Sequence, residues 1–460
     1  MSTSILFASR RTFVLSVAFV VLLCLSMAAS AQTETILYSF QGGAFDGANP
    51  AAGLISDAAG NFYGAAPGTV TQGVVFQFYP VGSAWRERIL HTFSGPDGSR
   101  PQGGLVMDAH GNLFGTTSGG GNYGSGVVFE LQPLSGGGWN FSVIYNFHFD
   151  GLNNFDGFEP LAALIVDKHG NLFGTTYFGG TGGCTYSGPA TFPNGAPKGQ
   201  IPNGCGTIFE VSPHPDGTWA ETILYSFQGA QDGGLPFAAV VNHNGSLYGT
   251  TWEGGGGTNK NCGSFYDGGC GVVFSLTRNP GGTWTENVLY TFQGQTDGAN
   301  PTASVVFDRS GNMFGTSAGA NLSFNTDSSV FELSPATGGT WTETTIFAFP
   351  NDGSNGYAPN GGVTLDAAGN LYGTTFYGTG TVSPGLDPGA PPKAGGYGIV
   401  FKLTPSQGGT WSESVLHSFT SNPDGASPGF VNLILRKGAL YGTTTSGGSA
   451  SLGTVFKVVP

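Results

Sequence analysis

The chain has 460 residues, of which 81 are Gly and 9% are charged; an ordinary soluble domain carries about 7% Gly and about 25% charged residues. A net charge of −13 with no Lys/Arg patch excludes a basic nucleic-acid binder. Gly at this density works against helices, and 36 Phe, 16 Tyr and 7 Trp supply a core that a disordered chain would lack.

Residues 1–31 read as a secretory signal peptide. Arg10 and Arg11 precede an apolar run from Phe13 to Leu25, and Ala29-Ser30-Ala31 forms an A-x-A cleavage site. Ser9–Phe13 also resembles a twin-arginine export signal; an ordinary signal that carries two arginines is the plainer reading. Cleavage would leave residues 32–460 as a single exported domain. No later apolar run is long enough to span a membrane. Four Cys remain, Cys184, Cys205, Cys262 and Cys270. An even count in an exported chain reads as two disulfides, most simply the local pairs Cys184–Cys205 and Cys262–Cys270. A zinc site would want a C-x-x-C pair or a neighbouring His, and neither is present.

From there one unit repeats seven times. Its anchor, Gly-Asn-Leu-(Phe/Tyr)-Gly-Thr-Thr, recurs at 60–66, 111–117, 170–176, 245–251, 311–317, 369–375 and 438–444. Each unit holds four runs rich in Val, Ile, Phe and Tyr, as half-buried strands are. Strand a is GLVMD at Gly104–Asp108, strand b is the anchor, strand c is GVVFEL at Gly126–Leu131, and strand d is ETILYSF at Glu221–Phe227. Turn signals separate them: Asp-x-x-Gly-Asn between a and b, Pro…Gly-Gly-x-Trp between c and d, Asp-Gly-x-x-Pro between d and a. Seven four-stranded units predict an all-β, seven-bladed β-propeller. The mature chain starts with a lone strand d, Glu34–Phe40, and the last unit ends on a strand c, Gly453–Val458. Joining the two closes the ring and removes two exposed strand edges.

These motifs resemble the family of bacterial extracellular proteins built from the GloVer-type tandem repeat. The shared pattern runs from Leu-Tyr-Ser-Phe through Asp-Gly-x-x-Pro and Gly-Asn-Leu-Tyr-Gly-Thr-Thr to Gly-x-Val-Phe-(Lys/Glu)-Leu, and it covers essentially all of residues 32–460. The resemblance implies an exported repeat protein and brings no functional residues with it. Other members carry C-terminal surface anchors, which Phe456–Pro460 does not show.

Up-and-down strands place the b–c loops and d–a connections on one face. The b–c loops of units 3, 4 and 6 carry insertions, Tyr177–Gly204, Trp252–Cys270 and Phe376–Tyr397, and function tends to sit where a rigid scaffold departs from its repeat. The ligand-binding candidates there are Tyr177, Tyr186, Trp252, Phe265, Tyr266, Phe376, Tyr377 and Tyr397, either a stacking platform or packing for their own loops. The turn aspartates Asp46, Asp97, Asp156, Asp232, Asp297, Asp352 and Asp424 read as turn-formers, with calcium as the competing reading. The repeated tryptophans Trp85, Trp139, Trp219, Trp284, Trp341 and Trp411 read as packing between blades. No catalytic set or metal spacing stands out, and no cofactor is expected. The expected function is that of an exported, monomeric, non-catalytic protein binding a glycan or protein partner through the insertion-bearing face. The alternatives are a polysaccharide-acting enzyme with acids at the channel mouth and a purely structural cell-surface protein.

Overall fold

A computed structural model describes residues 33–43, 46–68, 71–82, 84–148, 156–184, 204–256, 262, 269–294, 296–319, 328–350, 355–378, 396–430 and 432–460. Seven antiparallel four-stranded sheets follow one another in chain order and form a ring of blades. Blade 1 is Ile55–Ser56, Phe62–Ala66, Val74–Val81 and Ala84–Thr92, running from the central channel outward. Blade 4 is Val241–His243, Ser246–Thr251, Val272–Arg278 and Trp284–Thr291. Blade 7 takes Ile434–Arg436, Ala439–Thr444 and Thr454–Val459 from the end of the chain and its outer strand, Thr33–Ser39, from the beginning. The ring is therefore closed by the N-terminal strand. Among the described residues there is no helix, so none long and apolar enough to cross a membrane.

Strand a is shorter than the sequence pattern suggests, two residues in five blades and three in blades 4 and 7. Its upstream half turns along the channel instead of pairing. Seven strands converge on one axis there, and six blades place a small side chain at the wall, Gly53, Gly104, Ala163, Ala239, Ser304 and Gly362, where blade 7 places Asn432.

Within each blade, the Gly of strand b stands opposite the Phe of strand c, as in Gly249↔Phe274. A Cβ on Gly249 would lie 2.6 Å from Phe274 Cζ. The same arrangement recurs at Gly64, Gly115, Gly174, Gly315, Gly373 and Gly442. The seven strand-c rings, Phe76, Phe129, Phe209, Phe274, Phe331, Phe401 and Phe456, are completely buried. Each meets the Phe that follows strand d of the preceding blade edge-on: Phe40–Phe76, Phe93–Phe129, Phe147–Phe209, Phe227–Phe274, Phe292–Phe331, Phe349–Phe401 and Phe419–Phe456, with ring centroids 5.1–5.3 Å apart. This is the favoured geometry for aromatic pairs. The c–d register slips by one residue at the strand-c Phe in all seven blades. Such a bulge adds twist to the outer strand.

The first Thr of the anchor joins neighbouring blades. Thr116, Thr175, Thr250, Thr316 and Thr443 donate their hydroxyls to Ala162, Ala238, Ala303, Gly361 and Ala52 carbonyls of the next blade at 3.0–3.1 Å. The a–b turns also follow their signal. Asp108 accepts the Asn112 backbone N–H at 2.8 Å and its side-chain amide at 2.9 Å. Blades 4 and 7 substitute the two-residue turns Asn244-Gly245 and Lys437-Gly438, all with positive φ, as tight hairpins require. Trp139, Trp219 and Trp411 lie within 6.0 Å of Tyr63, Phe114 and Phe314 of the preceding blades, which is inter-blade packing.

Gly249→Ala is expected to cost about 1–3 kcal/mol through overpacking, read by chemical denaturation. Gly281→Ala, whose Cβ meets nothing within 4 Å, should stay within about 0.5 kcal/mol of the parent. Adding Phe274→Leu to Gly249→Ala should recover part of the loss, since the clash is with the far end of the ring; additive losses would show that the lock is not steric.

Candidate functional site

The face that carries the b–c loops is built on a backbone device. The residue before each d–a Pro, or its equivalent, is left-handed: Asn49, Arg100, Glu159, Leu235, Asn300, Ala358 and Ser427 have φ between 52° and 58°. Their N–H groups reach the preceding blade, as in Leu235 to the Cys205 carbonyl and Ser427 to the Tyr397 carbonyl, both 2.7 Å. Their carbonyls accept the N–H of the first residue after strand b: Tyr177 on Glu159 at 3.0 Å, Trp252 on Leu235 at 3.1 Å, Phe376 on Ala358 at 2.9 Å. A non-Gly residue in this region carries a cost of order 1 kcal/mol or more. Here the strain sets the take-off point of every insertion.

Three of the candidate residues are thereby fixed to the frame. Trp252 is 8% exposed and packs with Phe178 and Leu235, with Tyr177 and Phe158 against them. Tyr177 lies 6.4 Å from Trp252 and meets Phe237 edge-on at 5.8 Å; Phe237 in turn lies 4.6 Å from Phe430. A row of rings thus runs from blades 3 and 4 to the channel mouth at blade 7. In blade 6, Tyr377 stacks on Tyr357 at 4.7 Å with Phe376 edge-on beside it. Burial, and then the neighbouring Tyr357, push the Tyr377 hydroxyl up to about 12. The structure therefore brings together Tyr177 with Trp252 and Phe376 with Tyr377. Tyr397 stands apart and is 42% exposed. Tyr186, Phe265 and Tyr266 lie outside the described residues.

Two rings on this face escape the sequence reading. Tyr123, in the short b–c loop of blade 2, is 53% exposed and stacks on His148 at 3.9 Å. Phe430 is 42% exposed. The signal for it was present: after the d–a Pro the units place Ala51, Gln102, Leu161, Thr302 and Asn360, and only Phe237 and Phe430 put a ring in that stretch. Among the described residues the exposed aromatic side chains are Tyr123, Tyr397 and Phe430, and all three stand on this face.

The central channel encloses about 190 Å³ and is lined by all seven blades, with Leu54, Gln102, Leu161, Phe237, Thr302, Asn360 and Asn432 among the larger side chains. Small-molecule pockets run to about 300–1,000 Å³, more than this space offers. Its described lining holds no acid, base or His. The turn aspartates lie further out. Asp232 accepts the Gln228 backbone N–H at 2.9 Å and the Tyr225 hydroxyl at 2.8 Å, and Asp297 does the same with Gln293 and Tyr290, both at 2.8 Å. Asp352 lies outside the described residues. One described cluster is close enough to hold a metal ion, Glu34, His417 and Asp424, with ligand atoms within 4.8 Å; His417 Nε2 is 3.1 Å from Asp424 Oδ2 there.

Both expected disulfides are present, Cys184–Cys205 and Cys262–Cys270, with Cα separations of 5.2 and 5.0 Å. They close the insertions of blades 3 and 4. Cys205 and Cys270 are completely buried, so each bridge ties its loop to the blade core.

Solved structures are similar to this chain at low identity. A 6-phosphogluconolactonase candidate from Bacteroides uniformis is 12% identical, over 86% of this chain and 90% of that one, with a TM-score of 0.47. A periplasmic gluconolactonase from Pseudomonas aeruginosa is 13% identical, over 85% and 93%, with a TM-score of 0.45. The endosialidase of phage phi92 is 11% identical, over 93% and 68%, with a TM-score of 0.44. A search of curated proteins finds no match. The profile of the Gloeobacter/Verrucomicrobia repeat matches residues 24–189 and 195–386. That covers most of the chain, and the chain belongs to the Gloeobacter/Verrucomicrobia repeat family.

Proposed function

We propose that this protein is an exported, non-catalytic propeller that binds a glycan through the face carrying the b–c loops. The observation behind this reading is the placement of Tyr123, Tyr397 and Phe430, the exposed aromatic rings among the described residues, on that one face. An exposed ring offers an apolar plane to the C–H face of a sugar, and Tyr adds a hydroxyl for the rim. The left-handed residues and the two disulfides hold the loop bases rigid, which lowers the ordering cost of binding. Two disulfides and the Arg10-Arg11 leader suit an exported chain. A hydrolytic reading would need two carboxyls about 5–10 Å apart across a cleft, and no observation favours it.

The test is a glycan array with the mature protein. Binding to at least one glycan class is expected, weakened about tenfold by each of Tyr123→Ala, Tyr397→Ala and Phe430→Ala. A silent array would overturn the glycan reading, and pull-down of a defined protein through the same three side chains would move the site to a protein partner. Trp252→Ala is expected to behave differently. It should lower stability by about 3–5 kcal/mol and leave affinity unchanged below its melting temperature.

A further inference from the structure

The outer seams between blades carry a second repeated device. The Asp that opens each d–a connection faces, across the seam, strand d of the next blade, and at five of the described seams that strand presents a Glu; one of them, Glu34 of blade 7 facing Asp424, belongs to the Glu34–His417–Asp424 cluster above. Glu87 of blade 1 faces Asp46 with Tyr38; Glu221 of blade 3 faces Asp156, behind which stand Tyr145 and His148; Glu286 of blade 4 faces Asp232 with Tyr225; Glu343 of blade 5 faces Asp297 with Tyr290. Two acids side by side repel if both are ionised.

At two of these seams the geometry shows what would relieve them. Asp46 Oδ1 and Glu87 Oε1 are both buried and have no hydrogen-bond partner, and the same holds for Asp232 Oδ1 and Glu286 Oε1. A single proton between the facing carboxyls would satisfy an oxygen on each side. The Asp is already committed as an acceptor, from Gln41 N–H at 2.6 Å in one seam and from Gln228 N–H and the Tyr225 hydroxyl in the other, so the facing Glu is the member that offers the proton.

We propose that the Asp–Glu pairs at the seams of blades 7/1 and 3/4 each share a proton, so that acid tightens the ring and alkali loosens it. Desolvation first, and then the facing Asp, raise Glu87 to about 9, Glu221 to about 8 and Glu286 to about 7. For Glu343 the same two causes give about 7, with Thr345 working against them. An acid held above its ordinary value takes up a proton on folding. Stability from these pairs is therefore full below the ordinary Glu range and is lost as pH rises through about 7 to 9. The seam between blades 1 and 2 is a built-in contrast: Phe141 stands in the Glu position and stacks on His91 at 3.6 Å.

The experiment is thermal unfolding of the mature chain from pH 5 to pH 9 at constant ionic strength. The melting temperature is expected to fall by about 5 °C or more across that range. Glu87→Gln with Glu286→Gln, which puts a permanent donor in place of the shared proton, should raise the melting temperature at pH 9 and flatten the fall. A flat profile in the parent, or an unchanged slope in the double variant, overturns the proposal. So does a rise with 1 mM calcium at pH 8 that the double variant loses, since the pairs would then be cation sites. If the double variant does not fold, infrared spectra of the parent decide: a protonated-carboxyl C=O band persisting at pH 7 supports shared protons, and its absence overturns them.

Discussion

The structure depends on one steric relation, a Phe ring lying where a side chain is missing. In each blade the strand-c Phe fills the space over the strand-b Gly, and the Phe closing strand d of the preceding blade abuts that ring edge-on. A single aromatic column thus serves both as the core of one blade and as the joint to the next. Because interiors are close-packed, neither ring can move without disturbing two blades. Seven copies make the ring self-consistent, and the last copy closes only when Phe40, just beyond the N-terminal strand, meets Phe76.

The face that carries the b–c loops inherits its order from that frame. The left-handed residue of each d–a connection links the preceding blade to the residue that follows strand b. Trp252, Tyr177 and Phe376 therefore leave the scaffold at set positions, and their rings turn inward to pack. What remains exposed are rings at the tip of a short loop at Tyr123, the end of a long one at Tyr397, and the channel mouth at Phe430. Rigid support beneath a few free rings is a sound arrangement for a ligand with flat apolar faces.

The repeat, the four strands per unit, the turn chemistry and the closing strand were legible in the residues. Each rests on local rules, such as Asp108 capping its turn onto Asn112 or the strand-c Phe facing the Gly of the adjacent strand b in register. The disulfides were legible too, from even Cys count and proximity along the chain. The aromatic platform was less so. Trp252 and Tyr123 look alike in a sequence, one in an inserted loop and one in a short loop, yet the first is buried and the second is not. Loop length is a poor guide to exposure when the loop's first residue is bound to the neighbouring blade.

By itself the sequence determined the fold, because periodic small-residue and aromatic positions leave few ways to pack strands of this length. Only the tertiary structure decided which rings face solvent, how narrow the channel is, and that Asp and Glu from separate units meet across the seams. These are relations between blades. A repeat written along one chain specifies each blade's interior, whereas the angle and distance at which two blades meet come from ring closure as a whole.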